Sequence, residues 1–303
     1  MTMLERSSMV EVASKEVATM NQLTTDRRAR VIAALVEGNS IRATVRMTGV
    51  AKNTVMKLLA DVGPACADHH DKTVRNIRTA RVQSDEIWSF CYAKENHVPP
   101  EKRGEFGFGD VWTYAGIDAD TKLVISWYVG QKDAESAYGF MLDLASRLDS
   151  RVQLTTDSFQ AYAKAVKAAF GESVDYAMLN KLYGKVQQYE LPLPERRYSP
   201  AGVVSLRKYA VSGNPDPAHV STSYIERQNL TMRMSMRRFT RLSNGFSKKV
   251  KNLICAVALH FCYYNFCRVH QTLKTTPAMA AGLADHVWTI GEIVALLDAP
   301  KSN

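Results

Sequence analysis

The stretch VWTYAGIDADTKLVISWYVG, residues 111–130, contains two apolar runs joined by the polar residues DADT. Val, Ile, Trp and Tyr favour β-strands, and Asp and Thr between two such runs are typical of a turn. The stretch therefore predicts a β-hairpin. The similar run VQSDEIWSFCYA, residues 82–93, precedes it and predicts one more strand.

Helical and strand patterns alternate after this hairpin. A helix is predicted over 133–148, a short buried strand over RVQLTTD at 151–157, and a second helix over SFQAYAKAVKAAF at 158–170. Two long helices follow, one through Glu226 and one from about 246 to 270. Three strands, a helix, a strand and a helix predict an α/β fold.

The segment SIRATVRMTGVAKNTVMKLLADVG, residues 40–63, has the spacing of a helix-turn-helix with its turn at Gly49. Val50, Val55 and Leu58 are expected to face a shared core. The open face of the second helix then presents the predicted DNA contacts, which are Lys52, Asn53, Thr54 and Lys57. A helical hairpin used only for packing or dimerisation is the alternative.

These patterns divide the chain into five parts. We expect an N-terminal tail at 1–24, a helix-turn-helix domain at 25–63, and a basic linker or connecting helix at 64–81. The α/β domain follows at 82–275, with a loop-rich insertion at about 181–220. A C-terminal helical tail at 276–303 completes the chain.

Basic residues are concentrated in one segment. The whole chain has 39 Lys and Arg against 30 Asp and Glu, a net charge of +9. Residues 221–275 contain ten basic residues and the single acid Glu226, which favours a polyanionic partner. The bases that we assign to DNA contact are Arg227, Arg233, Arg237, Arg238, Arg241, Lys248 and Lys249.

Cysteine usage and hydropathy exclude other classes of protein. The five cysteines are scattered without a CxxC pair, which argues against a disulfide framework and against a thiolate zinc site. No apolar run approaches the ~18 residues of a membrane span. We therefore expect a protein of the reducing cytoplasm.

Three acids occupy comparable places in this layout. Asp85 lies in the first strand, Asp157 ends the fourth, and Glu226 opens a late helix among the arginines. Carboxylates at the ends of adjacent strands can converge, and a helix packed across the sheet can deliver a third. Carboxylates gathered in this way suit Mg²⁺, and two such ions can drive phosphodiester chemistry.

Each of these acids also has a simpler interpretation. Glu226 could form a surface ion pair with Arg227 or Arg233. Asp85 could be a turn residue at a strand end, and Asp157 could be the N-cap of the following helix. Three other acids compete as ligands, namely Glu86, Asp118 and Asp120. Glu86 is expected on the opposite face of the sheet from Asp85, and Asp118 and Asp120 are expected in the hairpin turn for backbone reasons.

Six segments between residues 84 and 283 resemble the transposases of bacterial insertion sequences with an RNase H-like DDE core, and among them the IS1 family most. The segments are SDEIW, YAGIDADTKLVISWYVG, LTTDSFQAY, RYSP, STSYIERQNLTMRMSMRRFTRLSNGFSKK and HFCYYNFCRVHQTLKTTPAMAAGL. The resemblance implies an RNase H-like mixed sheet flanked by helices. It also implies that Asp85, Asp157 and Glu226 are the metal-binding catalytic triad.

The activity implied by the resemblance is Mg²⁺-dependent cleavage at transposon ends followed by strand transfer. Two Mg²⁺ ions are expected, with Mn²⁺ as a substitute. The expected partners are terminal inverted repeats, target DNA and further copies of the chain, in the bacterial cytoplasm at the nucleoid and with no membrane. The chain departs from the best-known members because it lacks their cysteine-rich zinc motif upstream. Two alternatives stay open: a domesticated DNA-binding protein without turnover, and an RNase H-like structure-specific nuclease.

Overall fold

The computed structural model describes residues 23–183, 203–240 and 244–298 of the 303. The N-terminal part consists of three helices, in the order that the sequence predicts. Val50, Val55 and Leu58 are buried between them, and Gly49 takes the left-handed conformation that ends the second helix. The helices are α1 (Thr25–Val36), α2 (Ile41–Thr48) and α3 (Lys52–Thr73).

Helix α3 extends well past the predicted boundary at residue 63. It continues through Pro64 to Thr73, so the first half of the predicted linker is helical, as in the connecting-helix alternative. At Gly63 an added Cβ would lie 2.4 Å from the Cα of Cys255, which means that the two backbones touch. One continuous hydrophobic core joins these helices to the sheet, so the predicted domain boundary is not a boundary in the packing.

A six-stranded mixed sheet forms the centre of the molecule, with strand order β3-β2-β1-β4-β5-β6. Pairs β1–β2, β2–β3 and β5–β6 are antiparallel, and pairs β1–β4 and β4–β5 are parallel. This sheet confirms the predicted α/β class. The strands are β1 (Arg81–Cys91), β2 (Gly109–Asp118), β3 (Val124–Gly130), β4 (Val152–Asp157), β5 (Val174–Tyr183) and β6 (Val203–Ser212).

Helices cover both faces of the sheet. On β3, Trp127 packs against Phe261, while the adjacent Tyr128 lies beside Gly139. Successive side chains of a strand point to opposite faces, so these two contacts lie on opposite sides. Phe261 belongs to α7 and Gly139 to α4. The helices after the first strands are α4 (Ala134–Ser146), α5 (Ala161–Phe170), α6 (Ser223–Ser235) and α7 (Val250–Cys262).

Four segments differ from the predicted layout, the first being residues 174–183, which form the unpredicted strand β5. The insertion at about 181–220 contains the edge strand β6, whose side chains are almost all exposed; residues 184–202 lie outside the described part. The helix predicted to reach residue 270 ends at Cys262 and continues as a π-helical turn, Tyr263–Cys267. The predicted C-terminal tail packs on the core through α8 (Pro277–Ala280) and α9 (Ile290–Ala295), where Ile293 and Val294 are buried.

Within the described ranges, every helix is too short or too polar to cross a lipid bilayer.

Candidate active site

The register of β1 and β4 brings two of the predicted acids to neighbouring positions. The parallel ladder ends with the pair Ser84 and Thr156, and the next residue on each strand is Asp85 and Asp157. Asp157 is also the last residue of β4. Two carboxylates from distant parts of the sequence therefore lie side by side where β4 ends.

Glu86 joins these two acids. One carboxylate oxygen from each of Asp85, Glu86 and Asp157 lies within 4.8 Å of the others. Strand alternation predicts Glu86 on the opposite face of the sheet from Asp85, and the contacts agree, because Glu86 bonds Tyr162 of α5 whereas Asp85 bonds Asn229 of α6. The Glu86 carboxylate nevertheless reaches the other two acids. The reason is that β4 stops at Asp157, so the side of β1 beyond this point is open and both successive β1 side chains can reach the space at the strand end.

The Glu86 side chain is held from two sides. It is 2% exposed; its Oε1 accepts from Lys132 Nζ at 2.6 Å, and its Oε2 accepts from the hydroxyl of Tyr162 at 2.9 Å. The Lys132 ammonium also lies 4.4 Å from the ring centroid of Trp112 and 5.0 Å from that of Phe159. These contacts fix both the lysine and the carboxylate.

Helix α6 is attached directly to β1. Its N-cap residue, Thr222, makes no capping hydrogen bond, and Gln83 of β1 takes over that role. The Gln83 Oε1 accepts from the backbone N–H groups of Tyr224 at 2.8 Å and Ile225 at 3.3 Å. The first turn of the helix that carries Glu226 is thereby fixed to the strand that carries Asp85.

A second bond between the same elements lies inside the acid cluster. The Nδ2 of Asn229 on α6 donates to Asp85 Oδ2 at 2.9 Å. Asn229 is 5% exposed, and its Oδ1 has no hydrogen-bond partner among the described residues. Asn229 lies three residues after Glu226 on the same helix, and its amide binds Asp85.

Glu226 lies at the rim of the site. Its side chain is 42% exposed and forms an ion pair with Lys181 of β5, together with a hydrogen bond from the Thr222 hydroxyl. Helical spacing predicts Arg227 or Arg233 as the partner of Glu226. The structure shows Lys181 and Thr222 at this carboxylate. The Glu226 charge still contributes to raising the pKa of Asp85 and of Asp157, so the three predicted acids share one electrostatic environment.

Burial and mutual repulsion shift the ionisation of the cluster. Burial, followed by the charges of Glu86 and Asp157, raises the pKa of Asp85 to about 8. Burial and the Glu86 charge also raise the pKa of Asp157, although the N–H of Phe159, which donates to Asp157 Oδ1 at 3.0 Å, opposes the shift. A bound cation would relieve this repulsion.

The residues at this position fit a divalent metal ion. Their donors are carboxylate oxygens, the ligands that Mg²⁺ and Mn²⁺ prefer, and the partnerless amide oxygen of Asn229 is of the same hard type. The excess of negative charge supplies the attraction. Asp85, Glu86 and Asp157 are thus a candidate metal centre, with Glu226 beside it.

The two acids of the hairpin turn serve the backbone and other side chains. Asp118 is buried and accepts from the hydroxyls of Thr79 at 2.9 Å and Thr121 at 2.6 Å. Asp120 forms an ion pair with Arg81. Both therefore act as turn residues and not as parts of the cluster, as their position in the hairpin predicts.

The predicted DNA-contacting bases do not all lie on the surface. Arg227, Arg237, Lys248 and Lys249 are exposed. Arg238 is half-buried; its Nε donates to Ser247 Oγ at 2.8 Å, and burial lowers its pKa, so part of its guanidinium is engaged within the protein. Arg233 is half-buried, and Arg241 lies outside the described residues.

On α3, three of the four predicted contacts are fully exposed. These are Lys52, Asn53 and Lys57, whereas Thr54 is half-buried. Lys57 forms an ion pair with Asp61 one turn along the helix, at 2.6 Å. The open face that the spacing predicts is therefore present, and its role in DNA binding stays a prediction.

Three residues of the site escaped sequence reasoning, namely Lys132, Tyr162 and Lys181. Tyr162 lies within the quoted motif LTTDSFQAY, so the motif was a signal for it, but helical periodicity indicated only a core position. Lys132 follows β3 and Lys181 lies on β5, and no local pattern links either residue to an acid.

Comparisons with known proteins add little. No family model matches the chain, and no curated protein matches it. Among solved structures, the chain is similar to the piggyBac transposase synaptic complex with hairpin DNA, at 10% identity over 92% of this chain and 71% of that one, with a TM-score of 0.40. It is also similar to the Mos1 strand transfer complex, at 12% identity over 80% and 78%, with a TM-score of 0.23. Neither score is high enough to establish a common fold.

Proposed function

We propose that this chain is a DDE transposase of the IS1 type, which binds the ends of an insertion sequence and catalyses metal-dependent cleavage and strand transfer on DNA. One observation carries the proposal: Asp85 and Asp157 converge at the end of β4, and α6, which carries Glu226, is fixed beside them by Gln83 and Asn229. The ordered motifs between residues 84 and 283 agree with this arrangement.

The acids provide the site for phosphodiester chemistry. Asp85 and Asp157 would hold Mg²⁺ or Mn²⁺ with Glu226, and ions there supply the Lewis acidity that activates an attacking oxygen and neutralises a leaving one. The side chains themselves orient the site. Asn229 fixes one oxygen of Asp85, and the Phe159 N–H fixes one oxygen of Asp157.

The basic surfaces would hold the DNA. The exposed bases Arg227 and Arg237 lie on or just after α6, and Lys248 and Lys249 precede α7. We assign them to phosphate contacts along the cleaved strand. We assign Lys52, Asn53, Thr54 and Lys57 to the terminal inverted repeats, and we expect further copies of the chain to pair two ends with a target DNA.

The test is a cleavage assay on a duplex that carries the element's own terminal repeat. Asp85→Asn, Asp157→Asn and Glu226→Gln should each abolish Mg²⁺-dependent cleavage and leave binding to end DNA largely intact, because an amide replaces a charged ligand poorly. Asp149→Asn, at an exposed acid outside the site, is the matched control and should cleave normally. Full cleavage by any of the three site variants would remove that acid from the triad.

The same assay separates the alternative functions. A domesticated DNA-binding protein would bind the ends without cutting them in any divalent metal. A structure-specific nuclease would cut branched DNA irrespective of the terminal repeat and would give no joined product. Joined product that requires the terminal repeat is expected of the transposase alone.

A further inference from the structure

Glu86 has no place in the predicted triad, yet it is the most deeply buried acid of the cluster. Its side chain is 2% exposed, and one of its carboxylate oxygens lies within 4.8 Å of ligand atoms of both Asp85 and Asp157. Glu226, by comparison, is 42% exposed and paired with Lys181. Glu86 of β1, and not only Glu226 of α6, therefore lies near Asp85 and Asp157.

Both Glu86 oxygens keep capacity for a further ligand. Lys132 donates to Oε1 and Tyr162 donates to Oε2, each by one hydrogen bond. A carboxylate offers about four acceptor positions, so each oxygen retains one. Carboxylates that bind metal ions are typically held in this way by outer hydrogen bonds, which set their orientation.

A second, independent observation points to a ligand between these acids. The Asn229 side chain is buried, with 5% exposure; its Nδ2 already binds Asp85, and its Oδ1 has no hydrogen-bond partner in the described part of the chain. A buried oxygen without a hydrogen-bond partner is energetically unfavourable. Because the two amide atoms share one carbon, this oxygen lies close to the Asp85 carboxylate of the cluster.

We propose that Glu86 is a third carboxylate ligand of the ion that Asp85 and Asp157 hold, with the Asn229 amide oxygen beside it. Glu226 then serves a separate position at the rim. The inference rests on the proposed function only where the ion is assigned to DNA cleavage. The binding of a metal ion can be measured without DNA. Lys132 and Tyr162 act as positioning residues for Glu86.

The test is a calorimetric titration of the full chain with Mn²⁺ in the absence of DNA. Glu86→Gln keeps the shape of the side chain and removes its charge, and we expect it to weaken Mn²⁺ binding by about tenfold or more. Asp85→Asn should weaken binding at least as much. Glu172→Gln, which removes a charge at an exposed position, is the matched control and should bind as the unmodified chain does.

A purely structural Glu86–Lys132 ion pair makes a different prediction. The Glu86→Gln variant would then lose thermal stability and bind Mn²⁺ within about twofold of the unmodified chain, and that result would overturn the proposal. Unaltered binding by Asp85→Asn would overturn it as well. If Glu86→Gln does not fold, Tyr162→Phe takes its place, and we expect it to weaken Mn²⁺ binding by about tenfold; unchanged affinity would overturn the proposal.

Failure of this inference and failure of the proposed function give different results. If Glu86→Gln binds Mn²⁺ normally while Asp85→Asn abolishes DNA cleavage, only the role of Glu86 is lost. If the unmodified chain does not cleave end DNA but loses Mn²⁺ affinity on Glu86→Gln, the metal site stands and the transposase assignment is lost.

Discussion

Gln83 of β1 caps the first turn of α6 by accepting a hydrogen bond from the backbone N–H of Tyr224 at 2.8 Å, across 141 residues of sequence. Helix α6 brings both Asn229 and Glu226 to the acid cluster, so its position relative to β1 determines the geometry of the site. A buried side chain with no ionisable group therefore fixes the position of residues that it does not touch.

Removal of this cap should destabilise the chain. Gln83→Leu leaves the N–H groups of Tyr224 and Ile225 without their acceptor, and we expect a loss of about 1 to 3 kcal/mol in the free energy of unfolding. Urea denaturation measures it. Gln160→Leu changes an exposed glutamine and should have little effect. Equal losses in the two variants would show that the cap adds nothing.

Lys181 should compete with any metal ion that binds Glu226. Its ammonium already pairs with the Glu226 carboxylate, so a cation that binds there must displace it. Lys181→Met should lower the Mg²⁺ concentration that gives half-maximal cleavage of end DNA. Lys164→Met, at an exposed lysine of α5, is the control. A higher Mg²⁺ requirement in Lys181→Met would show that Lys181 supports the site and does not compete for it.

Exposed and half-buried bases should behave differently in DNA binding. Substitution of Arg227, Arg237, Lys248 and Lys249 by alanine together should reduce the slope of log K against log salt by roughly 0.9 for each phosphate that the variant no longer neutralises. Arg238→Ala should instead lower the melting temperature and leave the slope unchanged, because the half-buried Arg238 guanidinium bonds Ser247 within the protein. An unchanged slope in the fourfold variant would place the DNA elsewhere.

The first turn of α3 should distinguish the element's own ends from other DNA. Asn53→Ala should weaken binding to the terminal repeat by about 1 to 3 kcal/mol, the value of one specific hydrogen-bonded pairing with a base, and should affect random duplex less. Fluorescence anisotropy on both duplexes measures the difference. Equal weakening on the two DNAs would mark this helix as a phosphate-binding surface, and no weakening on either would favour the packing hairpin.

His70 makes stability depend on pH. Burial, with the nearby Arg147 charge, lowers the pKa of His70 to about 4, and its ring contacts the Ile125 carbonyl oxygen at 3.0 Å. An unfolded histidine titrates near pH 6.5, so the unfolded chain takes up the proton first. The stabilisation is complete above about pH 6.5 and declines as the pH falls towards about 4.

The variant His70→Gln removes the contribution of this histidine to the pH dependence. We expect its unfolding free energy to fall less steeply than that of the unmodified chain between pH 6.5 and 4, as measured by urea denaturation. His97→Gln, at an exposed histidine, should keep the original pH profile. If His70→Gln keeps it as well, His70 does not titrate differently in the folded chain.

Local sequence patterns predicted several of the buried elements. Strands β1 to β3 follow from apolar runs and turn residues, and helix α4 follows from its helical pattern. Strand β6 was missed because its side chains are exposed on both faces, so no alternation marks it; it is held by its hydrogen bonds to β5. Its formation depends on the neighbouring strand and not on its own residues.

The candidate site likewise has parts that the sequence predicts and parts that it does not. The convergence of Asp85 and Asp157 follows from strand order, which chain layout can suggest. The inclusion of Glu86 could not be predicted, because it depends on where the neighbouring strand β4 stops. The ion pair of Glu226 with Lys181 joins residues 45 apart in sequence and on different elements, which helical spacing does not reveal.

The backbone contact between Gly63 of α3 and Cys255 of α7 has a mechanical meaning. Two domains joined by a flexible linker would tolerate variable spacing between the DNA sequence that one domain binds and the phosphodiester bond that the other cleaves. Here the first turn of α3 and the sheet that carries the acid cluster belong to one continuous hydrophobic core. If that turn binds the DNA end, the protein fixes the distance between the bound sequence and the cleaved bond. A single inserted base pair, which lengthens the duplex by about 3.4 Å and also rotates it, would then move the cutting point off the acids.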